Sequence, residues 1–580
     1  MSASALELTV QANIDQWLNG NYDEESKQHI RNLLAAEQYT ELTDAFYKDL
    51  EFGTGGIRGI MGVGSNRINK YTLGMATQGL SNYLLQLYPN EQIKVAIAYD
   101  CRNNSDTFAR LVAEVFSANG IHVYFFESLR PTPELSFAIR ELGCKSGVML
   151  TASHNPKEYN GYKAYGADGG QLTGPHDVNV MEEVRKIQSV DEIKFTPQED
   201  KIETIGREMD EKYLEAIFKL SISREAIYNQ KDLAIVFSPI HGTGGVLVPP
   251  ALERFGFTNV QLVEEQMVVD GNFPTVVYPN PEEEEALTMA LNQAKATDAE
   301  LVMANDPDAD RVGIAIKNGD GDFVLMNGNQ TAALLINYVM TAWQESGKLT
   351  GKQYIVKTIV TSYLIDKMAA AKGIECFNTL TGFKWIGKIM TSLQGQKTFL
   401  AGGEESYGLL VGEHARDKDA VVSCAMIAEM AAYYKDQGRS VWDALLDIYV
   451  EYGCYKEKLI AITKKGKSGA EEIAALMEKY RKDPPRELGG SAVTVIKDYK
   501  NGTSKNLADD SVDTLDFPSS NVLQFFTADG SIISARPSGT EPKIKFYCST
   551  NTPLASKAEF AATEQQLDAK IDQIMKDLGV

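Results

Sequence analysis

Along the chain, short apolar runs alternate with segments whose apolar residues recur every three or four positions. The first stretch, to about residue 48, repeats Ile14, Trp17, Leu18 and then Ile30, Leu33, Leu34 at a spacing that predicts helices. A glycine-rich segment, 52–64, follows. The runs KVAIAYD (94–100), HVYFFE (122–127) and SGVML (146–150) then read as strands buried on both faces, with a helix over 105–119. The rhythm restarts with LAIVFSPI (233–240), a turn at HGTGG (241–245) and a helix from about 246. NVQLVEE (259–265) reads as a strand, 281–296 as a helix and ELVMA (300–304) as a strand. The four glutamates from Glu282 to Glu285 are expected to be a solvated first turn of that helix, where the dipole favours negative charge. A third round begins near Gly328, with strands at 354–360 and 397–403. After about residue 450 come a charged helix (470–482), the polar stretch DYKNGTSKNLADDS, strands at 521–527, 531–537 and 543–550, and a helix from about 556.

This pattern predicts three similar α/β domains with mixed sheets and a smaller C-terminal α+β domain, divided at 1–204, 205–325, 326–450 and 451–580. The length supports it, because 580 residues exceed what one hydrophobic core holds. A formal charge of -22 disfavours nucleic-acid and anionic-membrane partners. A small anionic substrate remains compatible, since clustered Arg, Lys and backbone N–H groups bind phosphate locally. The six cysteines are scattered without a CxxC pair, which suits small core residues in a reducing compartment. The first residues show neither a basic start nor an apolar run, and no segment approaches the ~20 apolar residues of a membrane helix. A cytoplasmic protein is expected.

Five segments carry chemistry. TASHNPKEYNGYKAY (151–165) follows an apolar strand and puts Ser153 and His154 at its C-terminal end, where α/β sheets place ligands. Lys163, ten residues on, can hold a phosphate or move a proton. Asn155-Pro156 and Asn160-Gly161 read as turns that expose this loop. NDPDADR (305–311) alternates Asp306, Asp308 and Asp310, a set of hard oxygen ligands suited to Mg²⁺, with Arg311 beside it to clamp a phosphoryl oxygen. An EF-hand is excluded, because the required Gly and terminal Glu are absent. GGEESYG (402–408) offers Glu404 and Ser406 to sugar hydroxyls. TGFKWIG (381–387) and HARDKDA (414–420) supply Lys384, Arg416 and Lys418 as positive charge near a phosphate, although 416–419 also reads as a self-paired turn. ARPSGTEPKIKFY (535–547) forms a phosphate cradle from Arg536, Ser538, Gly539 and Thr540. FGTGGIRG (52–59) frees its backbone at Gly53, Gly55 and Gly56 and places Arg58 to reach an anion.

TASHNP, DPDADR, GEESYG and RPSGTEPK, in this order over nearly the whole chain, resemble the α-D-phosphohexomutase superfamily. The resemblance implies four domains around a central cleft, each giving one loop. It implies a phosphoserine at Ser153, Mg²⁺ held by Asp306, Asp308, Asp310 and a phosphoserine oxygen, and sugar hydroxyls held by Glu404 and Ser406. Thr381, Gly382, Lys384, Lys418 and Arg311 would complete the substrate site. Arg536, Ser538, Gly539 and Thr540 would hold the non-reacting phosphate. Arg58 and Lys163 would flank the phosphoserine, with Lys163 or His154 carrying the proton. The implied reaction passes a phosphoryl group between positions 1 and 6 of an aldohexose, with glucose 1,6-bisphosphate as intermediate and activator and a monomer or homodimer as the working form. GEESYG and the EFGTGGIRG opening resemble the branch of bacterial α-phosphoglucomutases and animal phosphopentomutases, so glucose phosphate is expected first, with mannose and pentose phosphates open. A sugar-phosphate phosphatase and a non-catalytic sugar-phosphate sensor are the rival readings.

Overall fold

A computed structural model describes residues 6–50, 56–464, 466–538 and 543–580, with the backbone alone at 466–468. The first apolar repeat forms the helices Leu8–Asn19, Glu24–Ala35 and Tyr39–Phe46. They bury Val10, Ile14, Trp17, Ile30 and Phe46 against Tyr71 of the helix Lys70–Leu87, and Trp17 stacks on Tyr22 at 4.2 Å. Within the glycine-rich segment, Ile57–Ile60 forms a strand at the edge of a six-stranded mixed sheet. That sheet runs in the order Ile57–Ile60, Tyr159–Gly166, Ser146–Leu150, Lys94–Tyr99, His122–Phe126, Ile202–Ile205. Its central strands are parallel, whereas Tyr159–Gly166 pairs antiparallel on both sides, with Arg58 opposite Gly161.

Asn160-Gly161 is therefore not a turn. Asn160 is buried inside the strand and donates to Ser105 Oγ at 3.0 Å and to the Asn103 carbonyl at 3.2 Å. A Cβ at Gly161 would lie 2.5 Å from the Thr151 carbonyl and 2.7 Å from that of Ile57, so the glycine permits close strand approach. The turn propensity of the dipeptide yields to pairing with two neighbours.

The second sheet has five strands, ordered Phe323–Met326, Val312–Lys317, Leu301–Asn305, Ile235–Ser238, Val260–Leu262. The third has four: Glu375–Thr379, Gln353–Thr358, Thr398–Gly403, Leu409–Val411. Both mix parallel and antiparallel pairs, as expected from the alternating pattern. The C-terminal sheet has eight strands, antiparallel throughout its described ladders, and packs its core against the helix Phe560–Leu578. The polar stretch 498–511 belongs to this sheet, since Thr503–Asn506 pairs with Ser491–Asp498. A continuous apolar cluster runs through all three α/β units, and the C-terminal unit has its own core. Ile359, Val360 and Leu380 meet Tyr499, Val522 and Tyr547 along the seam between the third unit and the fourth. There Gln524 Nε2 donates to the Ile359 carbonyl at 2.8 Å. Among the described residues, no helix is long and apolar enough to cross a membrane.

The strands ending at Leu150, Asn305 and Gly403 deliver their loops to one central cleft. The HGTGG turn braces the second of these loops from behind. Thr243 N donates to the Pro307 carbonyl at 2.8 Å, and a Cβ on Gly242 would come within 2.5 Å of Pro307 Cα. Gly242→Ala is expected to cost about 1–3 kcal/mol through overpacking against this loop. Thermal unfolding checks it, and an unchanged melting temperature would show that the loop yields freely.

Candidate active site

Two adjoining cavities of about 790 and 420 Å³ share Arg58, Arg311, Thr381, Gly382, Glu404 and Arg536. The larger adds His154, Ser406 and Ser538, and the smaller adds Ser153, Lys163, Lys384 and Lys418. Segments separated by hundreds of residues thus converge, as the order of the loops along the chain suggests.

Ser153 is buried and has φ +53°, a left-handed conformation costing on the order of 1–2 kcal/mol for a residue with a Cβ. Its surroundings hold it there. Its N–H donates to Thr151 Oγ1 at 2.8 Å, and its hydroxyl donates to Asp306 Oδ2 at 2.8 Å. His154 Nδ1 lies 3.2 Å from the same hydroxyl. Burial, then the Arg311 and Arg58 guanidinium groups, push the His154 imidazole well below its ordinary pKa. Beneath the loop, Arg102 donates to the carbonyls of Ser153, Asn155, Pro156 and Tyr159. Asp100 is fully buried 3.4 Å from Arg102 Nε and accepts from Thr151 Oγ1 and Ser105 Oγ at 2.7 Å each. Arg58 Nη1 reaches Asn155 Oδ1 at 2.7 Å from the edge strand.

Asp306, Asp308 and Asp310 are all buried, with ligand oxygens within 4.8 Å of one another. Burial and the two neighbouring carboxylates push the Asp306 carboxyl well above its ordinary pKa. Burial acts the same way on Asp310, but Lys163, Lys418 and Arg311 overcome it and hold that group well below. Lys163 Nζ sits 2.6 Å from Asp308 Oδ2 and 3.1 Å from Asp310 Oδ2. Asp308 Oδ1 and Asp310 Oδ1 are buried acceptors with no hydrogen-bond partner among the described residues. Orphaned carboxylate oxygens this close together fit a divalent cation of the hard kind. All three α/β units grip this loop. Thr132 N donates to the Asp308 carbonyl at 2.9 Å, and its hydroxyl to Asp308 Oδ2 at 2.8 Å. Ala420 N, at the start of the helix Ala420–Asp436, donates to the Ala309 carbonyl at 3.1 Å.

Glu282 is not part of a solvated first turn. The helix starts at Glu284, and Glu282 turns inward to pair with Arg311. The half-buried guanidinium has Asp310 Oδ1 only at 4.0 Å and gains in Glu282 a closer counter-charge.

Glu404 Oε1 accepts from Gly382 N at 2.8 Å, tying the GEESYG loop to the TGFKW segment. Tyr407 in that loop has φ +68°, and Ala309 in the acidic loop has φ +50°. With Ser153, each of the three loops holds one strained non-glycine residue, a feature that gathers at functional sites. Lys418 is buried 3.1 Å from Asp310 and 3.0 Å from Asp417, so it is engaged by carboxylates rather than free for a phosphate. Arg416 lines neither cavity, because the Glu413 and Ala415 carbonyls and Gln394 take its guanidinium. Lys384 faces the smaller cavity, 3.8 Å from Asp177. Arg536 ends the strand Ile532–Pro537 opposite Lys545, a cation of the larger cavity that the sequence motifs do not single out. Gly539 and Thr540, with Gly53 and Gly55, lie outside the described residues.

Sequence reading also misses Asp100, Arg102, Thr132 and Glu282. The signal for Arg102 was present in CRNNS, an arginine just past a buried strand, but nothing local shows that it grips a loop fifty residues on. Arg102→Gln leaves Asp100 buried without its cation and is expected to cost on the order of 3 kcal/mol. Chemical unfolding measures this, and a loss below about 0.5 kcal/mol, the range of an inert surface change, would contradict the clamp.

Comparison with known proteins follows the same architecture. Residues 49–191, 211–319 and 327–452 match, in turn, phosphoglucomutase/phosphomannomutase alpha/beta/alpha domains I, II and III. The phosphoglucomutase of Staphylococcus haemolyticus is 34% identical over 537 residues, covering 93% of this chain and 96% of that protein. That of Staphylococcus aureus RF122 is 36% identical over 546 residues, with the same coverage of 93% and 96%. Two solved structures share the fold. Parafusin (phosphoglucomutase) of Paramecium, in its open form, has a TM-score of 0.67 at 19% identity, covering 92% of this chain and 97% of its own. A phosphoglucomutase/phosphomannomutase family protein of Burkholderia thailandensis has 0.62 at 20% identity, covering 90% and 97%. With relatives this similar over almost its whole length, the chain belongs to the phosphoglucomutase/phosphomannomutase family.

Proposed function

We propose that the protein is a phosphoglucomutase, interconverting α-D-glucose 1-phosphate and glucose 6-phosphate through a phosphate carried on Ser153. One observation carries the reading: the Ser153 hydroxyl stands 2.8 Å from Asp306 of a buried acidic triad, in a cavity that Arg536 also lines. A group-transfer centre and a phosphate anchor in one cavity suit a substrate that keeps one phosphate bound while another moves. The staphylococcal relatives named phosphoglucomutase support glucose as the sugar.

In this reading Ser153 Oγ carries the phosphoryl group and passes it to the free hydroxyl of the sugar phosphate. The P–O bond to serine breaks, a P–O bond to the sugar forms, and the sugar hydroxyl loses its proton to the neutral His154 imidazole, while Lys163, kept an ammonium by Asp308 and Asp310, adds positive charge beside the transferring group. The resulting 1,6-bisphosphate turns end for end, and its other phosphate returns to Ser153. Asp306, Asp308 and Asp310 would hold Mg²⁺, which when bound neutralises charge on the phosphoryl oxygens. Arg311, oriented by Glu282, and Arg58 add fixed positive charge on the same side. Glu404 and Ser406 grip sugar hydroxyls. Arg536 and Ser538 hold the resting phosphate, and Thr381 and Gly382 shape the floor between. Lys418 fixes Asp310 and so acts on the acidic loop before it acts on substrate.

A coupled assay with Mg²⁺, a trace of glucose 1,6-bisphosphate and glucose 1-phosphate tests the reading, with glucose 6-phosphate the expected product. Release of inorganic phosphate without isomer would make the protein a phosphatase instead. Ser153→Ala is expected to abolish turnover with an unchanged circular dichroism spectrum, and near-normal turnover would end the phosphoserine assignment. Arg536→Ala is expected to raise KM about tenfold, the worth of one charge-assisted contact.

A further inference from the structure

The smaller cavity has walls that no phosphate chemistry requires. Besides Ser153 and Arg536, it is lined by Trp385 and by the Ser519–Ser520 turn. Among the described residues, Trp385 is the one large apolar side chain of this cavity that is not buried; Ile57, Leu380 and Phe383 lie beneath the surface. The ammonium groups of Lys384 and Lys388 stand 5.2 and 5.5 Å from its ring, which fixes the indole's setting at the start of the helix Phe383–Leu393.

The Ser519–Ser520 lining is supplied by the C-terminal unit. The strands Thr503–Asn506 and Val512–Thr514 form a hairpin arm, and the chain returns from it through Phe517, which meets Tyr499 edge-on at 5.1 Å. Ser519 Oγ donates to the Lys500 carbonyl, and Ser520 N to that of Tyr499, both at 3.1 Å. The turn is thereby held at the cavity although it lies at the end of a polar excursion. Phe517 and Trp385 pack on the same apolar seam, so the two walls are positioned by one contact between units.

An indole and two serines lining one cavity make a site for a ring with one C–H face and one rim of hydroxyl groups. We infer that Trp385 and the Ser519–Ser520 turn select the sugar, favouring a hexopyranose phosphate over a pentofuranose phosphate. The inference rests on the mutase reading and adds to it the groups that choose the substrate. A six-membered ring with equatorial substituents covers the indole and brings its hydroxyls to the serines. A furanose ring is smaller and puckered, and gains less from both walls. Because the serine wall belongs to the C-terminal unit and the indole to the third, the choice is made only when these units are closed on each other.

The test compares kcat/KM for glucose 1-phosphate and ribose 1-phosphate in the wild-type enzyme, Trp385→Leu, Trp385→Phe and the double variant Ser519→Ala/Ser520→Ala. The expected result is a fall of about tenfold in the glucose-to-ribose ratio for Trp385→Leu, carried mainly by KM, with Trp385→Phe restoring most of it. The serine double variant should lower the ratio by about fivefold, one neutral hydrogen bond's worth. A purely structural role would lower both activities together and leave the ratio unchanged. A ratio within twofold of wild type in the serine variant and in any folded Trp385 variant overturns the inference. Should Trp385→Leu not fold, the Ser519→Ala/Ser520→Ala ratio decides. Absence of mutase activity in the wild-type enzyme would instead overturn the underlying function, so the two failures are distinct.

Discussion

Three buried carboxylates on one short loop are the constraint around which the molecule is arranged. Like charges this close are costly out of water unless cations meet them. The chain supplies those cations from different units: Lys163 from the first sheet, Arg311 from the acidic loop itself and Lys418 from the third unit. The acidic loop is thus an electrostatic hub. Thr132 and Ala420 add backbone hydrogen bonds from the first and third units, and Thr243 braces the loop from within its own. Breaking the hub would leave charges buried without partners, which explains why three units share one continuous core instead of touching at wet interfaces.

The hub also explains the geometry of Ser153. Its left-handed backbone is held on one side by Arg102 and Thr151 and on the other by Asp306. The serine is consequently delivered beside the buried carboxylates, with its hydroxyl on Asp306. The C-terminal unit stands outside this arrangement. It contributes no ligand to the hub and meets the third unit along an apolar seam, with the Gln524 bond, a Ser362 hydroxyl donating to Glu457 and a Lys557–Asp447 ion pair at 2.6 Å.

Much of this was legible in the sequence because strand ends announce themselves. Apolar runs stopped at Leu150, Ala304 and Gly403, and the polar residues just beyond them lie in the cleft. What was hidden were partners far apart in sequence. Arg102 and Thr132 look like ordinary loop residues until the fold brings them under Ser153 and Asp308. Glu282 reads as a helix start because its neighbours favour one, and it is the pairing with Arg311 that draws it inward. Asn160-Gly161 misleads for the opposite reason: a strong local turn signal is overruled by strands on both sides. The Ser519–Ser520 turn sits at the end of a segment whose composition suggests nothing beyond solvent exposure.

The account stands or falls on the acidic hub as a cation site. Calorimetric titration of Mg²⁺ into chelator-treated protein, beside an Asp308→Asn variant verified as folded, addresses it directly. A single saturable site in the wild-type protein that vanishes in the variant is the predicted result. No binding by the wild-type protein, or equal binding by both, would show that lysines alone balance the triad and would contradict the account.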